Sequence, residues 1–122
     1  MSQLSRIALI IAMNVLLYVL AVERYTDEFD SVTDVDAILR NDTLRDEYHK
    51  CYMNTGLCNT IAQKKVTEMF GEAVLTNCEK CNETQKEMLK KIIKWYAKYK
   101  PEILLEKLVK AGKDMKQRNA NQ

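Results

Sequence analysis

Two cysteine-bearing stretches decide the fold: CYMNTGLC at residues 51–58 and CEKC at residues 78–81. They hold all four cysteines of this 122-residue chain. An even number of cysteines in a short secreted chain is typical of a disulfide framework, whereas thiols in the cytosol stay reduced. What the cysteines do therefore depends on whether the chain is secreted.

The first 21 residues have the features of a secretory signal peptide. Arg6 is their only charged residue, an apolar run extends from Ile7 to Leu20, and the small residue Ala21 ends it. The run has about 14 residues, fewer than the roughly 20 that a membrane-spanning helix requires. We therefore predict a signal peptide at residues 1–21, cleavage after Ala21, and a secreted, extracellular protein without a membrane span.

The rest of the chain is long enough for one domain. We predict a helical domain at residues 22–112 and a polar, disordered tail at residues 113–122. The net charge of the chain is only +2. Nucleic acid is not an expected partner, because binding phosphates requires a basic face well in excess of its acids.

Helical periodicity dominates the pattern of apolar residues. Leu44, Tyr48, Cys51 and Tyr52, for example, recur at i, i+4, i+7 and i+8. The chain has only three glycines and one proline, and no stretch has the sustained alternation of a strand. The sequence therefore predicts an all-α fold of five or six short amphipathic helices.

Particular residues indicate where helices begin, end or bend. Asn82 with Gln85 resembles a capping box. Pro101 suits the first turn of a new helix and disfavours helical geometry at the residue before it. Gly71 predicts a bend that divides one helical stretch into two pieces.

The cysteine spacing limits the disulfide pairing without fixing it. On a continuous helix Cys51 and Cys58 would lie about 10.5 Å apart, beyond the roughly 7 Å that a disulfide spans. A turn at residues 54–56 would bring these two cysteines together, and Cys78 and Cys81 are close enough without distortion. We predict pairing of neighbours, while a crossed bridge such as Cys51–Cys78 stays open at this point.

The sequence predicts no enzyme, metal site or cofactor. Cys78 and Cys81 form a C-x2-C pair, but no strand–helix–strand pattern of a redox domain surrounds them. The wider spacing of Cys51 and Cys58 does not suit zinc, which favours two close pairs of cysteines. His49 is the only histidine, lies among charged residues and is expected on the surface, where it cannot build a catalytic triad.

The cysteine pattern C-x6-C-x19-C-x2-C resembles that of the insect chemosensory proteins, also called the olfactory-segment-D or pheromone-binding A10 family. Three stretches strengthen the resemblance: YTDEFD at residues 25–30, DAIL at residues 36–39 followed by Leu44 and Tyr48, and EAVLTNCEKC at residues 72–81. The resemblance covers about residues 25–109.

This resemblance implies six helices around an apolar tunnel, with two local disulfides, Cys51–Cys58 and Cys78–Cys81. It also implies a monomeric carrier of small apolar ligands such as fatty acids, pheromones or odorants. Tyr48 matches a tunnel-facing tyrosine of the family, and Leu104 stands where the family has a pocket tryptophan. The ligand-binding residues predicted in this way are Tyr25, Ile38, Tyr48, Val66, Phe70, Ile92, Tyr96 and Leu104.

A second function stays open at this point. The chain could be a secreted interaction or developmental factor whose ligand is a protein. An exposed apolar patch on Trp95 and Tyr99, in place of a closed cavity, would favour that interpretation.

Overall fold

The secondary structure is entirely helical in the part of the chain that the computed structural model describes, residues 5–13, 24–31 and 33–121. Residues 5–13 form one helical segment. Five helices follow it: α1 (Val35–Arg40), α2 (Asp42–Met53), α3 (Ile61–Leu75), α4 (Glu83–Tyr99) and α5 (Pro101–Ala120). The predicted all-α class of five or six helices is confirmed within these ranges, and the helical segment at residues 5–13 lies inside the predicted signal peptide.

The predicted cleavage site after Ala21 lies outside the described residues. Among the helices that are described, none combines the length and the hydrophobicity that a membrane crossing requires.

The predicted helix boundaries at α4 and α5 are confirmed. The Asn82 side chain accepts a hydrogen bond from the Gln85 backbone at 2.8 Å, and the Gln85 side chain accepts one from the Asn82 backbone at 3.1 Å. Pro101 occupies the first turn of α5, and Lys100 before it has φ −144° and ψ 63°. Both helices therefore begin where local side-chain chemistry favours a start.

The predicted bend at Gly71 is wrong, because α3 runs unbroken from Ile61 to Leu75. A Cβ atom at Gly71 would lie 3.3 Å from the Tyr52 hydroxyl oxygen and 3.4 Å from the Ala111 Cβ. Gly71 therefore permits the close approach of α2 and α5 to α3, and its role is in packing.

Both disulfides join neighbouring cysteines, as predicted. The Cα atoms are 4.8 Å apart in Cys51–Cys58 and 5.1 Å apart in Cys78–Cys81. The turn expected at residues 54–56 is present, with Asn54 in the left-handed region at φ 60°. Closing such short loops stabilises the fold by roughly 2.5 and 1.9 kcal/mol in the chain-entropy account.

The carboxyl-terminal segment is helical where the sequence predicted disorder. Helix α5 continues to Ala120, so the prediction of a disordered tail is wrong for residues 113–120. Arg118, near the end of α5, donates a hydrogen bond to Glu72 of α3 at 2.6 Å. This tertiary contact offsets the weak apolar content of the segment, which composition alone could not reveal.

Two apolar clusters connect the helices. Val35 and Leu39 of α1 pack against Tyr96 of α4 in the first cluster, and the second contains Ala73 with the Cys78–Cys81 disulfide. Helix α3 also packs along α2 and α5. The space that these contacts enclose is the candidate site.

Glu72 joins three distant parts of the chain near this space. Its carboxylate accepts a hydrogen bond from the Tyr25 hydroxyl at 3.2 Å and forms ion pairs with Lys80 at 2.9 Å and Arg118 at 2.6 Å. The hydrogen bond from Lys80 is the main cause that holds the pKa of the Glu72 carboxyl below its ordinary value. Burial raises the pKa of Tyr25, so its hydroxyl stays protonated and donates.

We expect Glu72→Gln to lower the free energy of unfolding by about 1–2 kcal/mol at pH 7. A carboxylate with a lowered pKa in the folded state stabilises the fold above its unfolded pKa of about 4.3, and that stability is lost as pH falls through the folded value. The difference between the variant and the parent should therefore be smaller at an acidic pH below the folded value than at pH 7. Urea unfolding at both pH values measures it.

Glu87→Gln is the matched control, because the Glu87 carboxylate forms a solvent-exposed ion pair with Lys90. We expect it to change the free energy of unfolding by less than about 0.5 kcal/mol. A Glu72→Gln effect of the same size at both pH values would contradict an electrostatic role.

Candidate ligand-binding site

Two small apolar cavities lie between the helices. Cavity 1 has a volume of about 40 Å³, and its lining residues are Tyr25, Val66, Met69, Phe70, Ala73, Cys78, Cys81, Gln85, Met88, Leu89 and Ile92. Cavity 2 has a volume of about 60 Å³, and its lining residues are Thr33, Val35, Ile38, Leu39, Arg45, Tyr48, Tyr52, Val66, Thr67, Phe70, Ile92, Tyr96 and Lys107.

The two cavities share a wall of three side chains. Val66, Phe70 and Ile92 line both of them. Val66 and Phe70 are four residues apart, so they lie on one face of α3, and Ile92 reaches the same place from α4. Movement of these side chains would join the cavities into one elongated apolar space.

Seven of the eight predicted ligand-binding residues line these cavities. Tyr25 lines cavity 1, and Ile38, Tyr48 and Tyr96 line cavity 2, while the other three form the shared wall. Leu104 is the exception: it lines an open groove with Leu89 and Leu108 and packs against the first apolar cluster. The role of all eight residues in binding stays a prediction.

Tyr48 offers the hydroxyl that the sequence predicted for this site. The side chain is half-buried, and burial raises the pKa of Tyr48, so the hydroxyl is neutral near pH 7. It forms no hydrogen bond with the described part of the chain. A polar ligand atom that enters cavity 2 could therefore accept or donate a hydrogen bond there.

Lys107 of α5 also lines cavity 2 and is not among the residues predicted from the sequence. The residue is only 5% exposed. Its ammonium nitrogen lies 4.8 Å from the ring centroid of Tyr96, 5.2 Å from that of Tyr52 and 5.6 Å from that of Phe70. Burial lowers the pKa of Lys107 to about 8. Its position three residues after the apolar Leu104 was the available signal, because that spacing places both residues on one face of a helix.

The segment at residues 24–31, which forms a turn at residues 28–31, places Tyr25 in the lining of cavity 1. The Tyr25 backbone N–H donates to the Lys80 carbonyl oxygen at 3.1 Å. Gln85, which is buried, donates from its side chain to the Thr26 carbonyl oxygen at 2.9 Å and to Asp30 at 3.1 Å. These bonds hold the segment against the second apolar cluster.

The sequence predicted that His49 lies on the surface, but the structure places it in a half-buried position. Its Nδ1 has no hydrogen-bond partner among the described residues. Burial lowers the pKa of His49, with a further contribution from the nearby charge of Lys107. The neutral imidazole is therefore favoured at this position.

An all-α chain with two short-range disulfides and an apolar interior belongs structurally to the class of small helical binding proteins. The model of the insect pheromone-binding family A10/OS-D matches residues 25–119, so this chain belongs to that family. The resemblance found in the sequence is thereby confirmed.

Curated relatives agree with this assignment. The chain is 36% identical to ejaculatory bulb-specific protein 3 of Drosophila melanogaster over 87 residues, which cover 71% of this chain and 68% of that protein. It is 41% identical over 64 residues to the putative odorant-binding protein A10 of the same species, covering 52% of this chain and 40% of that protein.

Two solved structures share the fold. A chemosensory protein in complex with bromo-dodecanol has a TM-score of 0.67 at 30% identity, covering 80% of this chain and 95% of that chain. Antennal chemosensory protein A6 from the moth Mamestra brassicae has a TM-score of 0.62 at 30% identity, covering 79% and 87%.

Proposed function

We propose that this protein is a secreted carrier that holds a long-chain aliphatic ligand in the joined space of cavities 1 and 2. The observation that carries the proposal is the shared wall: Val66, Phe70 and Ile92 line both of two adjacent apolar cavities. The solved relative in complex with bromo-dodecanol supports a linear chain as the occupant.

Side chains must move for such a ligand to enter. Each cavity has room for only a few water molecules, whereas a typical small-molecule site has roughly 300 Å³ or more. The segment at residues 24–31, which places Tyr25 in the lining of cavity 1, is held by a few hydrogen bonds, and its movement offers one way in. Passive opening of this kind needs no chemical step.

Burial of methylene groups supplies the driving force. Each methylene removed from water contributes about 0.8 kcal/mol, and ordering the ligand and the side chains offsets part of this gain. A ligand of about a dozen carbons should therefore bind with roughly micromolar affinity.

A protein partner is the less supported alternative. The Trp95 ring is covered on one face by the Arg45 guanidinium, which lies 4.2 Å from its centroid, and it contacts Tyr96 and Tyr99. Tyr99 is 58% exposed. Trp95 is half-buried with one face covered, so Tyr99 is the exposed ring of the patch that would favour a protein ligand.

A chain-length series tests the carrier proposal. Affinity for linear alcohols of 8 to 16 carbons, measured by displacement of an apolar fluorescent probe, should rise with length and then level off when the joined space is full. Tyr48→Ala should weaken binding at every length, whereas Tyr99→Ala, at a residue that lines neither cavity, should leave it unchanged. Affinity that does not depend on chain length would overturn the proposal in favour of a protein partner.

A further inference from the structure

We propose that Lys107 makes the site selective for long-chain fatty acids, because its ammonium group binds the ligand carboxylate inside cavity 2. This inference rests on the proposed function, since it names the head group of the ligand that the carrier holds. It also fixes the ligand's direction, with the carboxylate in cavity 2 and the alkyl tail across the shared wall in cavity 1.

The surroundings of Lys107 leave its charge without an anion. Three aromatic rings surround the ammonium group at 4.8–5.6 Å, which favours a cation but does not neutralise it. No carboxylate of the described residues lies within ion-pair distance of it. A buried charge without a counter-ion is costly, so an anion that reaches the ammonium group gains a strong partner.

The second cation of cavity 2 is already engaged. The guanidinium of Arg45 pairs with Asp42 at 2.9 Å and donates to the Leu39 carbonyl oxygen at 2.7 Å. The same group stacks on the Trp95 ring. Lys107 is therefore the cation of cavity 2 that remains available to a ligand.

The two cavities differ in charge, and this difference sets the orientation. The charged residues that line cavity 2 are Arg45 and Lys107, both of them cations. Every described residue that lines cavity 1 is uncharged. A fatty acid matches this arrangement with its anionic head in cavity 2 and its tail in cavity 1, and Tyr48 can donate a second hydrogen bond to the carboxylate.

Head-group competition in a Lys107 variant tests the proposal. The experiment measures how tightly dodecanoate and dodecanol bind at pH 7, by displacement of one apolar probe. It compares the parent with Lys107→Met and Lys113→Met. The parent should bind dodecanoate at least tenfold more tightly than dodecanol. Lys107→Met should lose that preference and keep its affinity for dodecanol within about threefold, while Lys113→Met, an exposed lysine of the same helix, should behave as the parent.

A pH series on the parent gives the same information without a substitution. Groups near Lys107 are Arg45, His49, Glu106 and the three tyrosines of cavity 2, and burial raises the pKa of Tyr48, Tyr52 and Tyr96. The tyrosines therefore stay neutral while Lys107 loses its proton. The preference for dodecanoate should be weaker at pH 10 than at pH 7.

Equal affinities for the two ligands in the parent would overturn the role of Lys107 while leaving the carrier intact. A preference that persists in folded Lys107→Met, checked by its far-ultraviolet circular dichroism, would overturn it as well. Failure of the parent to bind either ligand would overturn the proposed function together with this inference.

Discussion

Phe70→Ala is expected to lower the free energy of unfolding by about 3–5 kcal/mol, the range for truncating a buried phenylalanine. Phe70 is 8% exposed and meets the Tyr52 ring edge-on, with 5.0 Å between centroids. Because Phe70 also separates the two cavities, its removal would enlarge an existing void instead of letting the core collapse. The cost should therefore lie in the upper part of that range.

Thermal unfolding followed by circular dichroism measures this effect, with a fall in Tm of about 15–30 °C for a domain of this size. Leu57→Ala is the control, because Leu57 is 83% exposed and its truncation should cost less than about 0.5 kcal/mol. Saturating dodecanol should restore part of the Tm of Phe70→Ala by filling the enlarged space. A loss below about 1 kcal/mol would contradict the view of Phe70 as a packed wall.

The fold was predictable because its signals are local. Helical periodicity, the capping box of Asn82 with Gln85 and the proline at Pro101 each act within a few residues and need no tertiary partner. The cysteine pattern then selected the family. Most of the cavity lining followed as well, because a stripe of apolar residues at helical spacing faces the interior whether it packs or binds.

What the sequence did not predict depends on tertiary contacts. Gly71 was expected to bend α3, but its lack of a Cβ serves the close approach of Tyr52 and Ala111. The carboxyl-terminal segment was expected to be disordered, but Arg118 anchors it to Glu72. The residues that contact Gly71 and Arg118 are distant from them in sequence, so no local pattern could indicate these contacts.

Lys107 escaped prediction for a different reason. A lysine is normally solvent-exposed, and the carboxyl-terminal third of the chain is rich in lysines. Only the helical register, which places Lys107 on the face of Ile103 and Leu104, distinguishes it from its neighbours. The helical register can therefore indicate which charged residues face the interior, as it does for apolar residues.

Val66→Phe is expected to weaken the binding of dodecanol by about 100-fold. Val66 lines both cavities, so a phenyl ring at this position would fill the junction between them. A ligand confined to one cavity would leave about half its methylenes in water, a gross loss of roughly 4 kcal/mol at 0.8 kcal/mol each. The entropy recovered by the freed half of the chain reduces this to about 2.7 kcal/mol, which corresponds to 100-fold.

Comparing ligands of two lengths separates blockage from damage to the fold. Hexanol needs only one cavity, so Val66→Phe should change its affinity by less than about threefold, whereas unfolding would weaken hexanol and dodecanol alike. Overpacking should cost no more than about 1–3 kcal/mol of stability, which a urea titration measures. Val109→Phe, at a position 48% exposed on α5, should bind both alcohols as the parent does. Undiminished binding of dodecanol by folded Val66→Phe would show that the ligand does not cross the shared wall, because the ring would stand in its path.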